Sequence, residues 1–596
     1  MIDKNSPAAA ALILAGPLAD LLQRKFAVVQ GPDRPIAVFA HDGKVSAVDN
    51  RCPHLGFPLH RGSVEDGILT CHWHHARFDL ASGCTFDLWA DDVPHYETLI
   101  RDGQVYVDVG RQHADPRGHY LRRLREGLEQ DIDLVQAKCI IGLLEAGVAP
   151  SQIVGEVALF GVANRDDWAS GLTSLTALAN LASHLERETA YLALCQGARR
   201  VAADCDGQPP RRDRRPLETA GLELATLKRW FRYWTLVRHR DGAERTLRTA
   251  IRNGALQAEL ADLIFTAATD RIYADSGHVL DFANKAFELL DLIGWEHAEK
   301  VLPALVPQLV AARGGEEQNA WRHPHDLVPR LRAVDHELPE LIRGGEGKAW
   351  NDLVGLTSAI GGDDPLRIIE SLRQAIAAGA RPEQLSQALV HAAALRIARF
   401  GTANEFSDWI TALHTFSYCH ALDCALRRWP PTQMPPEMLR GVFHGAMSVY
   451  LDRFLNVPPA PLPGERRPLD DEPQDAAELR QRFLDLLDQR HEVESAARVV
   501  ARYLRLGHPV GPLLDTLARA AVREDADFHL FQMLEGAARQ SERWPAGPPE
   551  REHFLVAAAR FLAAHSPTQR TQLQTAEVAL RLHRGDALYE EDGGGA

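Results

Sequence analysis

Cysteine is scarce in this sequence, with eight residues in a chain of 596. A disulfide-stabilised secreted protein needs a far denser set, so the composition argues against that class and favours a reducing compartment. Long apolar runs are also missing, because no stretch of about 20 apolar residues predicts a membrane span. The apolar run at residues 8–15 follows Asp3 and has no cationic segment before it, so we expect no signal peptide. These absences predict a cytoplasmic protein.

An excess of positive charge is absent as well. Lys and Arg number 66 against 81 Asp and Glu, which gives a formal net charge of -15. Nucleic-acid binding relies on cations that displace counterions from phosphates, so the charge balance argues against that function. The length predicts several domains, and a hydrophobic content of 45% is that of an ordinary globular protein.

Two of the few cysteines stand beside histidines near the start of the chain. Cys52-x-His54 is followed by Cys71-x-x-His74, with sixteen residues between His54 and Cys71. Two kinds of site use two thiolates and two imidazoles: a tetrahedral zinc site, and a 2Fe-2S cluster in which two histidines replace two cysteines on one iron. Zinc fingers usually place both cysteines before both histidines, whereas each segment here contributes one of each.

Short apolar runs with turn signals surround the two segments. Asp42-Gly43 and Asp102-Gly103 are typical of tight hairpin turns. The runs lie at residues 26–29, 36–39, 45–48, 98–100 and 105–108. The pattern predicts a small all-β domain that displays two ligand loops.

At these residues the sequence resembles the Rieske 2Fe-2S family, specifically its ferredoxin-like branch. The resemblance covers residues 12–110 and rests on the two-loop motif and its spacing. It implies that Cys52 and Cys71 bind one iron and that His54 and His74 bind the other. It also implies electron transfer with a ferredoxin reductase or another redox partner.

Two departures from the family pattern accompany the resemblance. The cysteines that bridge the loops in high-potential Rieske proteins would fall at Phe57 and Trp73, so no bridge is expected and a comparatively low potential is implied. The second loop also contains His72 and His75, where the family commonly has other residues. We expect both to be non-ligands, either exposed loop residues or groups that tune charge and solvent access near the cluster.

The sequence after residue 110 lacks the Asp-x-x-His-x4-His pattern of a mononuclear iron site, so a typical ring-hydroxylating oxygenase α-subunit is not expected. Apolar residues at spacings of three and four instead predict helices. A helical hairpin recurs, each copy marked by a glycine suited to a left-handed cap, at Gly147, Gly254, Gly379 and Gly507. The rest of the chain is therefore predicted to be a four-unit helical array.

The predicted fold class is multidomain α+β, a small all-β domain followed by a large all-α repeat region. The Rieske domain takes residues 1–110, and helical units one, two and three take 111–215, 216–345 and 346–457. A proline-rich linker at 458–474 precedes unit four at 475–587, and a disordered tail is expected at 588–596.

One position of the repeat carries histidine three times. His278, His414 and His529 occupy it in units two, three and four, and unit one has Thr173. Six residues further on come Asn284, His420 and Glu535. If the units pack around a common centre, the histidines would converge and bind a metal, a haem or a substrate. The competing interpretation is that a duplicated histidine at the start of a helix caps or packs.

Two weaker resemblances touch the helical region. Residues 378–385, Ala-Gly-x-x-Pro-x-Gln-Leu, resemble the helical repeat of carboxymuconolactone decarboxylases, and residues 414–421 resemble questin-oxidase-like proteins. No catalytic residue follows from either resemblance.

Three functional hypotheses follow from this organisation. In the first, the Rieske domain passes electrons to an oxidase or monooxygenase centre in the helical region, which acts on a small-molecule substrate. In the second, the helical array is a non-catalytic platform that docks a partner enzyme. In the third, the cluster is a redox sensor that alters how the array binds a partner.

Overall fold

The computed structural model describes residues 12–32, 34–110, 115–218, 221–401, 404–430, 433–545, 549–586 and 588. They form two compact units. The first contains the described residues up to Glu156 and those from Gln572 onward, and the second runs from Val157 to Thr571. Within the described ranges, no helix is both long enough and apolar enough to cross a membrane. The tail predicted to be disordered lies outside the described residues, except for Leu588.

The N-terminal domain is all-β apart from one short helix, α1 (Leu18–Arg24). Its strands are β1 (Leu12–Pro17), β2 (Phe26–Gln30), β3 (Pro35–His41), β4 (Lys44–Asp49), β5 (Ser63–Glu65), β6 (Ile68–Thr70), β7 (Arg77–Asp79), β8 (His95–Arg101) and β9 (Gln104–Asp108). Six strands form a sheet in the order β1-β9-β8-β4-β3-β2, and three form a sheet in the order β5-β6-β7. The small all-β domain is thus confirmed.

The short apolar runs in the sequence correctly predict most of these strands. Every predicted apolar run lies in one, and both predicted hairpin turns have left-handed backbone, with φ of 46° and 74° at Asp42-Gly43 and 49° and 73° at Asp102-Gly103. Strand β1 was not predicted, although it contains the end of the apolar run at 8–15. Leu12 and Ile13 pair with β9, so this apolar segment is a sheet edge, and residues 8–11 lie outside the described part of the chain.

Helices make up the rest, as predicted. They are α2 (Pro116–Glu129), α3 (Asp133–Glu145), α4 (Pro150–Asn164), α5 (Ser170–Leu181), α6 (Arg187–Cys205), α7 (Leu224–Leu236), α8 (Arg240–Arg252), α9 (Gln257–Thr269), α10 (His278–Ile293), α11 (Ala298–Val301), α12 (Val306–Ala311), α13 (Val328–Gly345), α14 (Leu353–Ile360), α15 (Pro365–Ala377), α16 (Pro382–Ala398), α17 (Phe406–Leu426), α18 (Arg440–Asp452), α19 (Ala476–Leu487), α20 (Val493–Arg505), α21 (Val510–Val522), α22 (Phe528–Glu542), α23 (Pro549–Ala564) and α24 (Thr571–Arg584).

The four predicted hairpins are confirmed at their glycines. The pairs α3–α4, α8–α9, α15–α16 and α20–α21 each turn at a left-handed glycine, with φ of 76°, 80°, 94° and 77° at Gly147, Gly254, Gly379 and Gly507. A residue with a Cβ is strained at a positive φ, so glycine is favoured there. This preference explains why the glycines in the sequence predict the four turns. The boundaries of the four helical units stay a prediction.

Four helices of the second unit pack in a closed ring. Helix α5 contacts α10 and α22, and α17 contacts the same two helices. These are the helices that carry the repeated position: Thr173 on α5, His278 on α10, His414 on α17 and His529 on α22. The ring brings the copies of that position towards one another.

Candidate metal centres

The first ligand loop, between β4 and β5, is closed by its own backbone. The N–H of Cys52 donates to the carbonyl of Phe57 at 2.8 Å, and the N–H of Gly56 donates to the carbonyl of Cys52 at 2.8 Å. Gly56 has a φ of 89°, which favours glycine. This tight turn fixes the direction of the Cys52 and His54 side chains.

The second ligand loop, between β6 and β7, repeats the same pattern. The N–H of Cys71 donates to the carbonyl of Ala76 at 2.8 Å, and the N–H of His75 donates to the carbonyl of Cys71 at 3.0 Å. His75, with a φ of 63°, stands where the first loop has Gly56. The two loops are therefore structurally equivalent, and His75 has the backbone conformation that the first loop assigns to glycine.

The two cysteines point at each other inside the domain core. Cys52 is 2% exposed and Cys71 is 1% exposed. The hydrogen bond from Cys52, together with the N–H groups of Trp73 and His74, lowers the pKa of Cys71 to about 6. The same bond and burial raise the pKa of Cys52. Loops that aim backbone N–H groups at sulfur stabilise thiolates, the form that binds metal.

The two predicted histidine ligands lie beside the thiols. The ring centroids of His54 and His74 are 4.9 Å apart, and those of His54 and Trp89 are 4.6 Å apart. Nδ1 of His54 is buried and has no hydrogen-bond partner among the described residues. Burial lowers the pKa of His54 to about 4, with Lys138 and His74 adding to the effect, so its imidazole is neutral. Two thiols and two imidazoles, one with an orphaned nitrogen, fit a 2Fe-2S cluster.

Phe57 and Trp73 take the places where a bridging cysteine pair would lie. Their ring centroids are 6.3 Å apart at an interplanar angle of 39°, so an aromatic contact links the two loops. No disulfide bond links any of the eight cysteines, all of which lie in the described part of the chain. Both rings belong to the core around the cysteines.

The side chains of His72 and His75 are both exposed. For His75 the backbone suggests a test. Replacement by glycine should raise the stability of the holoprotein by about 0.5–1 kcal/mol, because glycine adopts a positive φ without steric cost. The measurement is the thermal midpoint of cluster loss, followed by visible absorption. His72→Gly, at a position without a positive φ, is the control and should not stabilise; an equal or lower midpoint for His75→Gly would contradict the strain argument.

Lys138 is a residue near this site that sequence analysis missed. Its Nζ donates to the carbonyls of Pro53 at 2.5 Å and His54 at 2.7 Å, so helix α3 holds the first ligand loop from outside the β domain. Burial lowers the pKa of Lys138 to about 8. No local signal pairs these residues, because they lie 84 and 85 positions apart.

Lys138→Met should lower the reduction potential of the centre. A cation beside a metal cluster favours its reduced, more negative state, and removing it costs roughly 1 kcal/mol of screened Coulomb energy, or about 40 mV for one electron. Potentiometric titration of the purified holoprotein measures the change. Lys228→Met in the second unit is the control, and a potential that is the same in all three proteins would show that Lys138 acts only as a structural clamp.

The histidines of the repeat meet in the second unit. His278, His414 and His529 each offer a ring nitrogen, and these three atoms lie within 4.8 Å of one another. Nε2 of His414 is 2.9 Å from Nε2 of His529. Burial lowers the pKa of His414 to about 3, and His278 and His529 add to the effect. His278 is the first residue of α10 and His529 is the second of α22, but α17 begins at Phe406, so His414 lies inside its helix and does not cap it.

Unit one lacks a fourth histidine at this position, and Thr173 has another role. The indole Nε1 of Trp168 donates to Thr173 Oγ1 at 2.9 Å, and both residues are buried. Thr173 therefore holds a core tryptophan in place.

The residues six positions further on form a buried ionic network. Lys285, 1% exposed, donates to Glu288 Oε2 at 2.8 Å and to Glu535 Oε2 at 2.6 Å. His420 Nε2 lies 3.4 Å from Glu535 Oε2, and Asn284 donates to Glu288 at 2.9 Å. Asn284, His420 and Glu535 thus converge, around a lysine that the sequence pattern did not single out.

Comparison with known proteins gives matches for the β domain. Residues 12–97 match the family described as Rieske [2Fe-2S] domain. The 3-phenylpropionate/cinnamic acid dioxygenase ferredoxin subunit of Photorhabdus laumondii subsp. laumondii is 35% identical over 79 residues, 13% of this chain and 75% of that protein. The anthranilate 1,2-dioxygenase ferredoxin subunit of Burkholderia cepacia is 36% identical over 78 residues, 13% of this chain and 72% of that protein. The solved structure of Sphingomonas yanoikuyae B1 ferredoxin has 25% sequence identity and a TM-score of 0.15, covering 16% of this chain and 96% of that one.

Proposed function

This chain belongs to the Rieske 2Fe-2S family through residues 12–97, and on that premise we propose that it is an iron-sulfur electron-transfer protein. The observation that carries the proposal is the matched pair of loops, each with one buried thiol and one imidazole facing the other loop. In this proposal Cys52 and Cys71 bind one iron, and His54 and His74 bind the other. The bound cluster supplies reversible one-electron chemistry.

Residues around the proposed cluster stabilise its thiolates, position its ligand loops and leave one ligand exposed. Backbone N–H groups of the loops stabilise the two thiolates, and the Trp89 ring packs edge-on against the His54 ring. Lys138 fixes the first loop through its carbonyls. His74 is exposed, which leaves one ligand at the surface where an electron-transfer partner can approach.

We propose that the reduction potential of the cluster lies in the range of ferredoxins. The Phe57–Trp73 contact stands in the place of a disulfide bridge, and the relatives reported above are named as ferredoxin subunits of dioxygenase systems. We therefore take the partner to be a ferredoxin reductase or a similar electron donor, and the potential to be comparatively low.

The proposed destination of the electrons is an oxidase or monooxygenase centre in the helical region. A buried ionic network and a separate histidine cluster inside the second unit support this assignment, because buried charged groups and clustered imidazoles are common at functional sites. A domain that delivers single electrons is most useful in the same chain as a centre that consumes them.

The test combines purified full-length protein with NADH and a ferredoxin reductase from a Rieske dioxygenase system. Without oxygen, the visible absorption should bleach with an uptake of one electron for every two irons. With oxygen, NADH oxidation should exceed that of the reductase alone, and Cys71→Ser should remove the excess. A cluster that stays oxidised would contradict electron transfer. Reduction of the cluster without any excess of NADH oxidation under oxygen would favour the electron-carrier hypothesis over that of a self-contained oxidoreductase.

A further inference from the structure

We propose that His278, His414 and His529 form a binding site for one divalent transition-metal ion in the second unit. The site uses no residue of the Rieske domain, so this proposal can be tested independently of the proposed electron transfer. The three side chains come from three different helices of the ring, α10, α17 and α22, and their available nitrogens lie within 4.8 Å of one another. Neutral imidazole is the ligand that zinc, copper, iron and nickel accept most readily in proteins.

The spacing of two of the nitrogens already matches coordination. Nε2 of His414 and Nε2 of His529 are 2.9 Å apart. Two nitrogens bound to one ion at about 2.0–2.1 Å are themselves about 2.9–3.4 Å apart at octahedral or tetrahedral angles. The same closeness excludes a haem between them, because axial ligands of a haem bind on opposite faces of the ring.

His529 has the supporting contact that metal-binding histidines usually have. Its Nδ1 lies 3.0 Å from Asp527 Oδ2. A carboxylate that accepts this N–H fixes the tautomer, so the lone pair of Nε2 points towards His414. Asp527 therefore orients a ligand without contacting the ion.

His278 contributes an unsatisfied group to the cluster. Its Nδ1 is buried and has no hydrogen-bond partner among the described residues. Asp281, 1% exposed, lies 4.0 Å from that nitrogen through Oδ2 and has a buried Oδ1 without a partner. Two buried polar atoms that lack a hydrogen-bond partner among the described residues therefore lie at the edge of the histidine cluster.

The backbone before His278 is held in an uncommon conformation. Tyr273, Asp275 and Ser276 have φ of 47°, 51° and 53°, and Gly277 has a φ of 92°. A side chain on Gly277 would meet the carbonyl oxygen of His414 at 3.3 Å, so the absence of one lets α10 approach α17 here. Strained backbone persists only where surrounding structure enforces it, and it is common at functional sites.

The other metal-compatible set in the second unit is a poorer candidate. Glu288, His420 and Cys424 also offer three ligand atoms within 4.8 Å. Lys285 and Arg539 already donate to Glu288, and Gln540 Nε2 lies 3.0 Å from His420 Nδ1. Cations and hydrogen bonds thus occupy the places that an ion would need, whereas His278 and His529 lie beside the carboxylates of Asp281 and Asp527.

The experiment measures Zn²⁺ binding to the full-length holoprotein by equilibrium dialysis and elemental analysis, with iron counted in the same samples. Wild type should bind one Zn²⁺ per chain beyond the cluster iron. His529→Ala and His414→Gln should weaken binding by at least about 100-fold, and Asp527→Asn by about 10–100-fold. His297→Ala, a partly exposed histidine of the same unit, is the matched control and should bind as wild type does.

X-ray absorption at the zinc edge decides the ligand type. Scattering from imidazole alone supports the proposal, and sulfur scattering would overturn it by placing the ion at cysteine. The proposal is also overturned if wild type binds no more Zn²⁺ than His414→Gln, or if Asp527→Asn binds as wild type does. Circular dichroism establishes folding of each variant; if His529→Ala does not fold, His414→Gln and Asp527→Asn decide the question.

Discussion

Cys71→Ser is expected to abolish the iron-sulfur centre. Cys71 is 1% exposed, and its sulfur receives the N–H groups of Trp73 and His74 and the thiol of Cys52. Serine keeps the shape but replaces a thiol of lowered pKa by a hydroxyl that stays protonated at neutral pH, so one iron loses an anionic ligand. Iron should fall from about two atoms per chain to near zero, and the visible absorption should disappear.

Cys84→Ser provides the matched control for this result. Cys84 is an exposed thiol of the same domain, and neither ligand loop contains it. This variant should keep both irons and the wild-type spectrum. Full iron content in Cys71→Ser, or equal loss in both variants, would contradict the assigned role of Cys71.

Lys285→Met is expected to destabilise the second unit strongly. Lys285 is 1% exposed and bonds both Glu288 and Glu535, which are also fully buried. Methionine fills similar space but removes the buried cation that the two carboxylates share, which leaves them with the partly exposed Arg539. Removing one partner of a buried ion pair costs about 3–5 kcal/mol, so the free energy of unfolding should fall by that amount. Chemical denaturation followed by far-ultraviolet circular dichroism measures it.

Two further variants test whether unpaired buried charges cause the loss of stability in Lys285→Met. Lys228→Met breaks a partly exposed pair with Asp262, at 2.7 Å, and should cost about 1 kcal/mol or less. Lys285→Met combined with Glu535→Gln should recover part of the loss, because one of the orphaned charges is removed. Equal effects of Lys285→Met and Lys228→Met would contradict the account of the network.

The same network makes a prediction for pH. Burial alone would raise the pKa of Glu288, but Lys285 and Arg539 hold it at about 2, below the ordinary value of 4.5. A carboxyl with a depressed pKa stabilises the fold above its unfolded pKa, and this contribution is lost as pH falls from 4.5 towards 2. In Lys285→Met the depression is reduced, because Arg539 remains beside Glu288, so the difference in stability between wild type and variant should shrink over that interval. A constant difference would show that Lys285 acts through packing alone.

The ligand loops were predictable because their signal is local. Cys52, His54, Cys71 and His74 are distinguished by spacing within 23 residues, and the hairpin turns beside them are marked by Asp-Gly pairs. The left-handed glycines of the repeat were predictable for the same reason. The order of the six-stranded sheet was not predicted, because pairing of β1 with β9 joins segments about 90 residues apart.

Contacts between distant segments account for what the sequence did not reveal. The repeat placed His278, His414 and His529 at equivalent positions, but only the ring of α5, α10, α17 and α22 brings their nitrogens together. Lys138 holds the loop of the proposed ligand His54 through two hydrogen bonds, and Asp527 contacts the proposed ligand His529 through one; a lone lysine or aspartate has no sequence pattern to distinguish it. Lys285 was missed although it follows Asn284 directly, because its two partners lie three and 250 positions away.

The central claim is that Cys52, Cys71, His54 and His74 hold a 2Fe-2S cluster with both histidines on one iron. Pulsed electron paramagnetic resonance of the dithionite-reduced full-length protein tests it most directly. We predict a paramagnetic centre with strong couplings to two imidazole nitrogens, and loss of one coupling together with cluster instability in His74→Ala. A reduced cluster without nitrogen couplings, or purified protein containing zinc and no iron at these cysteines, would contradict the account.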